Sequence, residues 1–137
     1  MDTKVINIDR KDIDKEALKE AAKIIRGGGL VAFPTETVYG LGADAFNKDA
    51  AKKIYGAKKR PPDNPLIVHI ADFCELDKIV SEVSDDARRL MDRFWPGPMT
   101  LILKKKKGIP SQTTAGLDTV AVRMPEDELA REFIRLC

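Results

Sequence analysis

At 137 residues the chain is long enough to bury a real core and too short to call for a second domain. Its 24 lysines and arginines against 22 aspartates and glutamates leave a formal charge of +2, which excludes a protein that coats polyanions by bulk charge, so any nucleic-acid site has to be local. A hydrophobic content of 43% excludes disorder, and two cysteines with a single histidine exclude a disulfide framework or a Cys/His zinc cluster and suit a reducing, cytoplasmic setting.

The segment from Met1 to Arg10 has no signal-peptide pattern, and no stretch approaches the ~18 apolar residues of a membrane span, so a membrane partner is not expected. Val5 to Ile8 is short and β-branched and predicts a strand, with Asp12 or Asp14 capping the helix that follows. That helix, about Lys15 to Arg26, carries Ala17, Leu18, Ala21, Ala22, Ile24 and Ile25 at helical spacing and ends at Gly27-Gly28-Gly29 through a left-handed cap. Leu30 to Phe33 lacks polar alternation and predicts a strand buried on both faces, stopped by Pro34. A short helix over Asp49–Ala57 and a second apolar strand over Leu66–Ile70 come next. Helical segments are expected near Cys74–Val80 and over Asp85–Phe94, the latter capped by Ser84. Met99–Leu103 and Thr119–Met124 supply two more strands and Glu126–Leu136 a last helix. Alternating strands and helices predict an α/β fold, a twisted mixed sheet with helices packed on it, in a single domain over residues 1–137.

Several segments carry groups suited to chemistry. Pro34 to Ala43 is a hydroxyl- and glycine-rich loop at the carboxyl end of a predicted strand, where ligands of open α/β sheets bind, although it serves equally as a tight surface turn. Gly40, Gly42 and Ala45 match the dinucleotide spacing, but six residues separate them from the strand, so that reading is rejected. Lys58 and Arg60 precede Pro61-Pro62-Asp63-Asn64-Pro65, which should hold the chain extended. On such a backbone the two cations point the same way and form a phosphate clamp, the alternative being a solvated helix end.

His69, the sole imidazole, lies near a strand end and shares a face with Ile67, as a structural residue or a base. Lys104 to Lys107 read as edge protection or as a patch for RNA phosphates. The loop Thr113 to Thr119 before Arg123 could hold a zwitterion or phosphate, unless Arg123 snorkels at the sheet edge. Cys74 reads as packing, and Trp95-Pro96-Gly97-Pro98 as a rigid turn with an aromatic anchor. No triad, nucleophile elbow or adjacent carboxylate pair is present, so no residue is assigned as catalytic acid or base, and none as a metal ligand.

Taken together, Pro34-Thr35-Glu36-Thr37-Val38-Tyr39-Gly40-Leu41-Gly42, Lys58-x-Arg60-Pro61, Asn64-Pro65-Leu66-Ile67-Val68-His69, Trp95-Pro96-Gly97-Pro98-Met99-Thr100 and Thr119 to Pro125 resemble, in order and spacing, the YrdC-type threonylcarbamoyl-adenylate synthases. The resemblance implies synthesis of threonylcarbamoyl-AMP and pyrophosphate from L-threonine, bicarbonate or CO2, and ATP, with Mg2+ expected beside the nucleotide. A downstream transferase would then modify tRNA. It assigns Thr35, His69 and Arg123 to L-threonine, and Lys58, Arg60, Asn64 and Thr119 to ATP. The family's domain continues into a further strand and a Pro-Ser-Ala-Asn segment that helps hold both ligands, whereas this sequence stops at Cys137, so an incomplete site is expected. The competing expectation is a non-catalytic module that binds double-stranded RNA or tRNA through Lys52, Lys53, Lys58, Arg60 and the lysines at 104 to 107.

Overall fold

A computed structural model describes residues 2–137. Helix α1 (Lys15–Arg26) starts at Asp14, whose carboxylate accepts the Glu16 and Ala17 N–H groups at 3.0 and 3.1 Å. It stops where Gly28 turns left-handed at φ 77°. The chain then forms a two-stranded antiparallel hairpin, β1 (Val31–Pro34) and β2 (Tyr39–Gly42), in which Phe33 lies opposite Gly40.

Helix α2 (Lys48–Lys58) is capped by Asn47 and ends at Lys59, which is left-handed at φ 50°. Strand β3 (Ile67–His69), a 3-10 turn (Phe73–Glu75), α3 (Leu76–Ile79) and α4 (Asp85–Phe94) follow. Then come β4 (Leu101–Lys104), β5 (Thr119–Arg123) and α5 (Glu128–Leu136). The second sheet runs β3-β5-β4, with β5 parallel to β3 and antiparallel to β4.

The expected α/β class and mixed pairing are what the molecule shows. Period-two alternation along β5 buries Val120 and Val122 and leaves Thr119, Ala121 and Arg123 on the other face. The buried face joins Val68, Leu76, Ile79, Met91 and Trp95 in one core, while α1, α5 and Phe33 form a second core around Leu18, Ala22, Ile25, Ala130 and Phe133. The opposite face of the three-stranded sheet is open, with Ile67 and Ile102 exposed on either side of Ala121.

Four expectations need correction. Val5 to Ile8 forms no strand, since it pairs with no strand of either sheet, and Ile8 instead packs against the α1–α5 core. Ala32 is exposed, so β1 is not buried on both faces; the hairpin is a two-stranded ribbon with one side against helices. Tyr39–Gly42 is a strand and not loop, because Gly40 and Gly42 let the Phe33 ring lie flat on it. A Cβ at Gly42 would stand 2.8 Å from Phe33 Cε1. Cys74 is exposed on the 3-10 turn and belongs to neither core.

Candidate active site

The sheet places His69 and Arg123 side by side as register partners at the carboxyl ends of two parallel strands, both on the open face. Arg123 is nearly enclosed and firmly held. Its Nε donates to the Gly97 carbonyl at 3.2 Å, and its Nη2 donates to the Glu36 carboxylate in a short ion pair. Nη1 has no partner among the described residues. The Trp95–Pro98 turn therefore does more than anchor an aromatic. Trp95 Nε1 donates to Met99 O at 2.7 Å, the Gly97 N–H donates to Met124 O at 2.8 Å, and the turn so fixed presents its carbonyl to Arg123.

Thr35 sits at the hairpin turn just after β1. Its hydroxyl accepts the Thr37 and Val38 N–H groups at 3.3 and 3.2 Å and donates to Val38 O at 2.5 Å. The side chain thus shapes the turn that delivers Glu36 to Arg123. Burial alone would raise the Glu36 carboxyl, but the N–H groups of Glu36 and Glu126 and the Arg123 guanidinium outweigh it and hold the group below its ordinary 4.5, ionised. Burial also dominates at His69, pushing the imidazole below 6.5; the Ile67 carbonyl 3.2 Å from Nδ1 and the Glu36 charge oppose this, and Arg123 adds to it. His69 is accordingly neutral at physiological pH. Its ring meets Phe33 edge-on at 6.0 Å.

A cavity of about 550 Å³ opens beside this group, between β2, the end of α2, β3 and α5. Lys58, Arg60 and His69 line it, together with Ile67, Gly40 and Phe133. The two cations do not lie on an extended backbone as expected, since Lys59 adopts the left-handed cap and reverses the chain between them. Nor is the proline segment extended: the Asn64 N–H donates to Pro61 O at 3.2 Å and closes a turn. Arg60 staples that turn, with Nε on Asn64 O at 3.1 Å and Nη2 on Asn64 Oδ1 at 2.8 Å and on Pro65 O at 2.7 Å. Lys58 has no partner among the described residues and is free to meet a ligand.

Of the other candidates, Thr119 lies on the same face of β5 as Arg123 but four residues away, roughly 13 Å along the strand. Asn64 faces Arg60, and neither Thr119, Thr35 nor Arg123 lines the cavity. The hydroxyls of Thr113 and Thr114 are buried and committed to Ala45 O at 2.8 Å and Leu117 O at 2.9 Å, so that loop does not offer them to a zwitterion or phosphate. Two groups at the site escaped the sequence reading, the Glu36 carboxylate and the Gly97 carbonyl. The only signal available for them was their place inside the quoted runs.

The arrangement is that of a small α/β protein with cations gathered at one sheet end and one cavity, suited to an anionic ligand. The chain belongs to the Sua5/YciO/YrdC family, whose model, described as Telomere recombination, matches residues 23–137. It is 53% identical over 134 residues to a threonylcarbamoyl-AMP synthase of Pyrococcus abyssi, covering 98% of this chain and 39% of that protein. It is 56% identical over 119 residues to a threonylcarbamoyl-AMP synthase of Bacillus subtilis, covering 86% of this chain and 34% of that one. Among solved structures, P. abyssi Sua5 complexed with L-threonine superposes with a TM-score of 0.94 at 53% identity, over 98% of this chain and 39% of that chain. The chain thus spans little more than a third of the length of these relatives.

Proposed function

We propose that this chain binds L-threonine and ATP as part of an L-threonylcarbamoyladenylate synthase, a nucleotidyltransferase-type enzyme serving tRNA modification in the cytoplasm. The observation that carries the reading is His69 standing as register partner of a pinned Arg123 and lining one cavity with Lys58 and Arg60. Family membership and the threonine-bound relative support it. In the reaction, the threonine amine and bicarbonate form a carbamate with loss of water. A carbamate oxygen then attacks the α-phosphorus of ATP and pyrophosphate departs with the bond electrons.

That chemistry calls for positioning and neutralised phosphate charge more than for a strong base. The free end of the Arg123 guanidinium suits the threonine carboxylate, with neutral His69 beside it as register partner and Thr35 in the turn that carries Glu36. Lys58 and Arg60 suit the phosphates. Asn64 acts through Arg60, and Thr119, roughly 13 Å from Arg123 on the same face, suits the far end of so long an adenylate. Among the described residues no three His, Cys, Asp or Glu side chains cluster to hold a metal, so the residues present form no Mg2+ cage, and none of these steps is routed through the ion.

The downstream partner on this reading is a transferase that places the threonylcarbamoyl group on tRNA. Titration of the chain with L-threonine and with ATP tests the reading, using the His69 ring proton signals as a reporter. Movement of those signals by millimolar L-threonine is expected, and signals indifferent to both ligands would overturn it. Pyrophosphate release that requires threonine and bicarbonate together is the corresponding activity readout.

A further inference from the structure

We propose that Glu36 is a positioning residue for Arg123, a carboxylate that clamps the guanidinium from the β1–β2 turn and so aims its free end at the carboxylate of the amino-acid ligand. The proposal rests on the reading of Arg123 as the group that receives that carboxylate. Three features of the molecule lead to it. Glu36 and Arg123 lie 87 residues apart, yet their side chains are only 20% and 11% exposed and are paired directly, so the contact is built into the fold. The Glu36 carboxylate accepts from the guanidinium, and the nearby N–H groups of Glu36 and Glu126 help to keep it ionised. It is thereby a fixed stop for Arg123 more than a free acceptor for a ligand's ammonium group. Finally, the Gly97 carbonyl takes Nε while Glu36 takes Nη2, so the two acceptors hold one edge of the fork and leave Nη1 over for another anion.

The single histidine makes this testable without any ligand. His69 is the register partner of Arg123 and feels both charges in opposite directions, Glu36 favouring its proton and Arg123 opposing it. In Glu36→Gln the His69 titration midpoint, followed by proton NMR, is expected to fall below that of the parent chain. L-threonine affinity should drop roughly tenfold, and affinity for 3-hydroxybutanoate, which has the carboxylate but no α-amine, should drop by the same factor. Glu36→Asp restores the charge on a shorter arm and should recover part of both effects, which separates orientation from a folding defect.

Unchanged or tighter threonine binding in Glu36→Gln would overturn the proposal, because Glu36 would then be idle or an internal competitor for Arg123. A loss confined to L-threonine would overturn it as well, since Glu36 would be reading the ammonium group. Should the parent chain bind neither compound, the assignment of Arg123 to an amino acid fails. Glu36 is then judged on the histidine alone, and an unmoved midpoint refutes its pairing with Arg123 in solution.

Discussion

Arginine at position 60 is not interchangeable with lysine, and the reason lies in what its side chain does before any ligand arrives. Arg60 makes three hydrogen bonds from two nitrogens to the Asn64 carbonyl, the Asn64 side-chain oxygen and the Pro65 carbonyl, at 3.1, 2.8 and 2.7 Å. A lysine ammonium at the same place reaches one of these acceptors, so Arg60→Lys removes about two bonds. Both acceptors on Asn64 are solvent-exposed and the Pro65 carbonyl is partly buried, which keeps each bond near the lower end of the usual ~0.5–1.5 kcal/mol. The expected cost is about 1–2 kcal/mol, felt as a loosened 61–65 turn and a fall of a few degrees in Tm. Because the displaced cation also lines the cavity, ATP affinity should fall by about tenfold more than stability alone explains. Calorimetric ATP titration and thermal unfolding of Arg60→Lys and Asn64→Ala, side by side, separate the two effects. Asn64→Ala should loosen the turn and weaken ATP only mildly, since the guanidinium stays. Equal ATP affinity in the parent and Arg60→Lys would refute the reasoning and return Arg60 to a purely structural staple.

Lys58→Ala should weaken ATP binding several-fold and leave Tm within about a degree, because Lys58 makes no side-chain hydrogen bond or ion pair among the described residues; a large Tm change would show a structural role instead. Gly42→Ala should destabilise by about 1–3 kcal/mol, since the new Cβ meets Phe33 Cε1 at 2.8 Å and that ring is boxed in by His69 and Phe133; urea unfolding reads it directly. His69 resists protonation when folded, so the unfolded chain binds the extra proton. The contribution is whole above about pH 6.5 and is lost as pH falls through the lower folded value, and unfolding curves from pH 7.5 to 5 should lose part of that slope in His69→Gln.

The helices were the most legible part of the sequence. Asp14, Ser84 and the glycines after Arg26 are local signals, and each cap forms with the partners that such residues ordinarily take. The runs Ile67–His69, Leu101–Lys104 and Thr119–Arg123 were legible as strands, because a β-branched or apolar run of that length has few other uses. What stayed hidden depends on neighbours distant in sequence. Tyr39–Gly42 carries two glycines, ordinarily a mark against a strand, and only the Phe33 ring packed on it explains them. The pairing of Glu36 with Arg123 could not be read from spacing, since a carboxylate in a turn and an arginine at a strand end announce nothing about each other until the sheet brings them together. The opposite error occurred at Val5 to Ile8, where strand-like composition found no strand to pair with.

Counting the cations by what they already hold weighs against the RNA-binding class that the sequence also suggested. An RNA-binding face works through many uncommitted charges, each displacing a counterion. Here Lys104 pairs with Glu82 at 3.0 Å, Lys105 donates to Ile109 O at 3.0 Å, and Lys106 bonds the Asp77 carbonyl. Three of the four lysines thus hold a partner at the end of β4, although Lys104, Lys106 and Lys107 remain exposed to solvent. Lys52 lies 3.6 Å from Asp49, and Lys53 donates to Gly28 O at 2.6 Å. Of the cations named for an RNA face, Lys58 and Arg60 line the same cavity as His69. A few directed charges around a cavity are the requirement of a phosphorylated small molecule, whereas a duplex needs an array along its backbone. The affinity of this chain for RNA should accordingly stay near that of any weakly basic surface, with a shallow dependence on salt, and Lys58→Ala should leave it almost unchanged while lowering ATP binding. A steep salt dependence that survives Lys58→Ala and disappears on neutralising Lys104 to Lys107 would reverse that judgement.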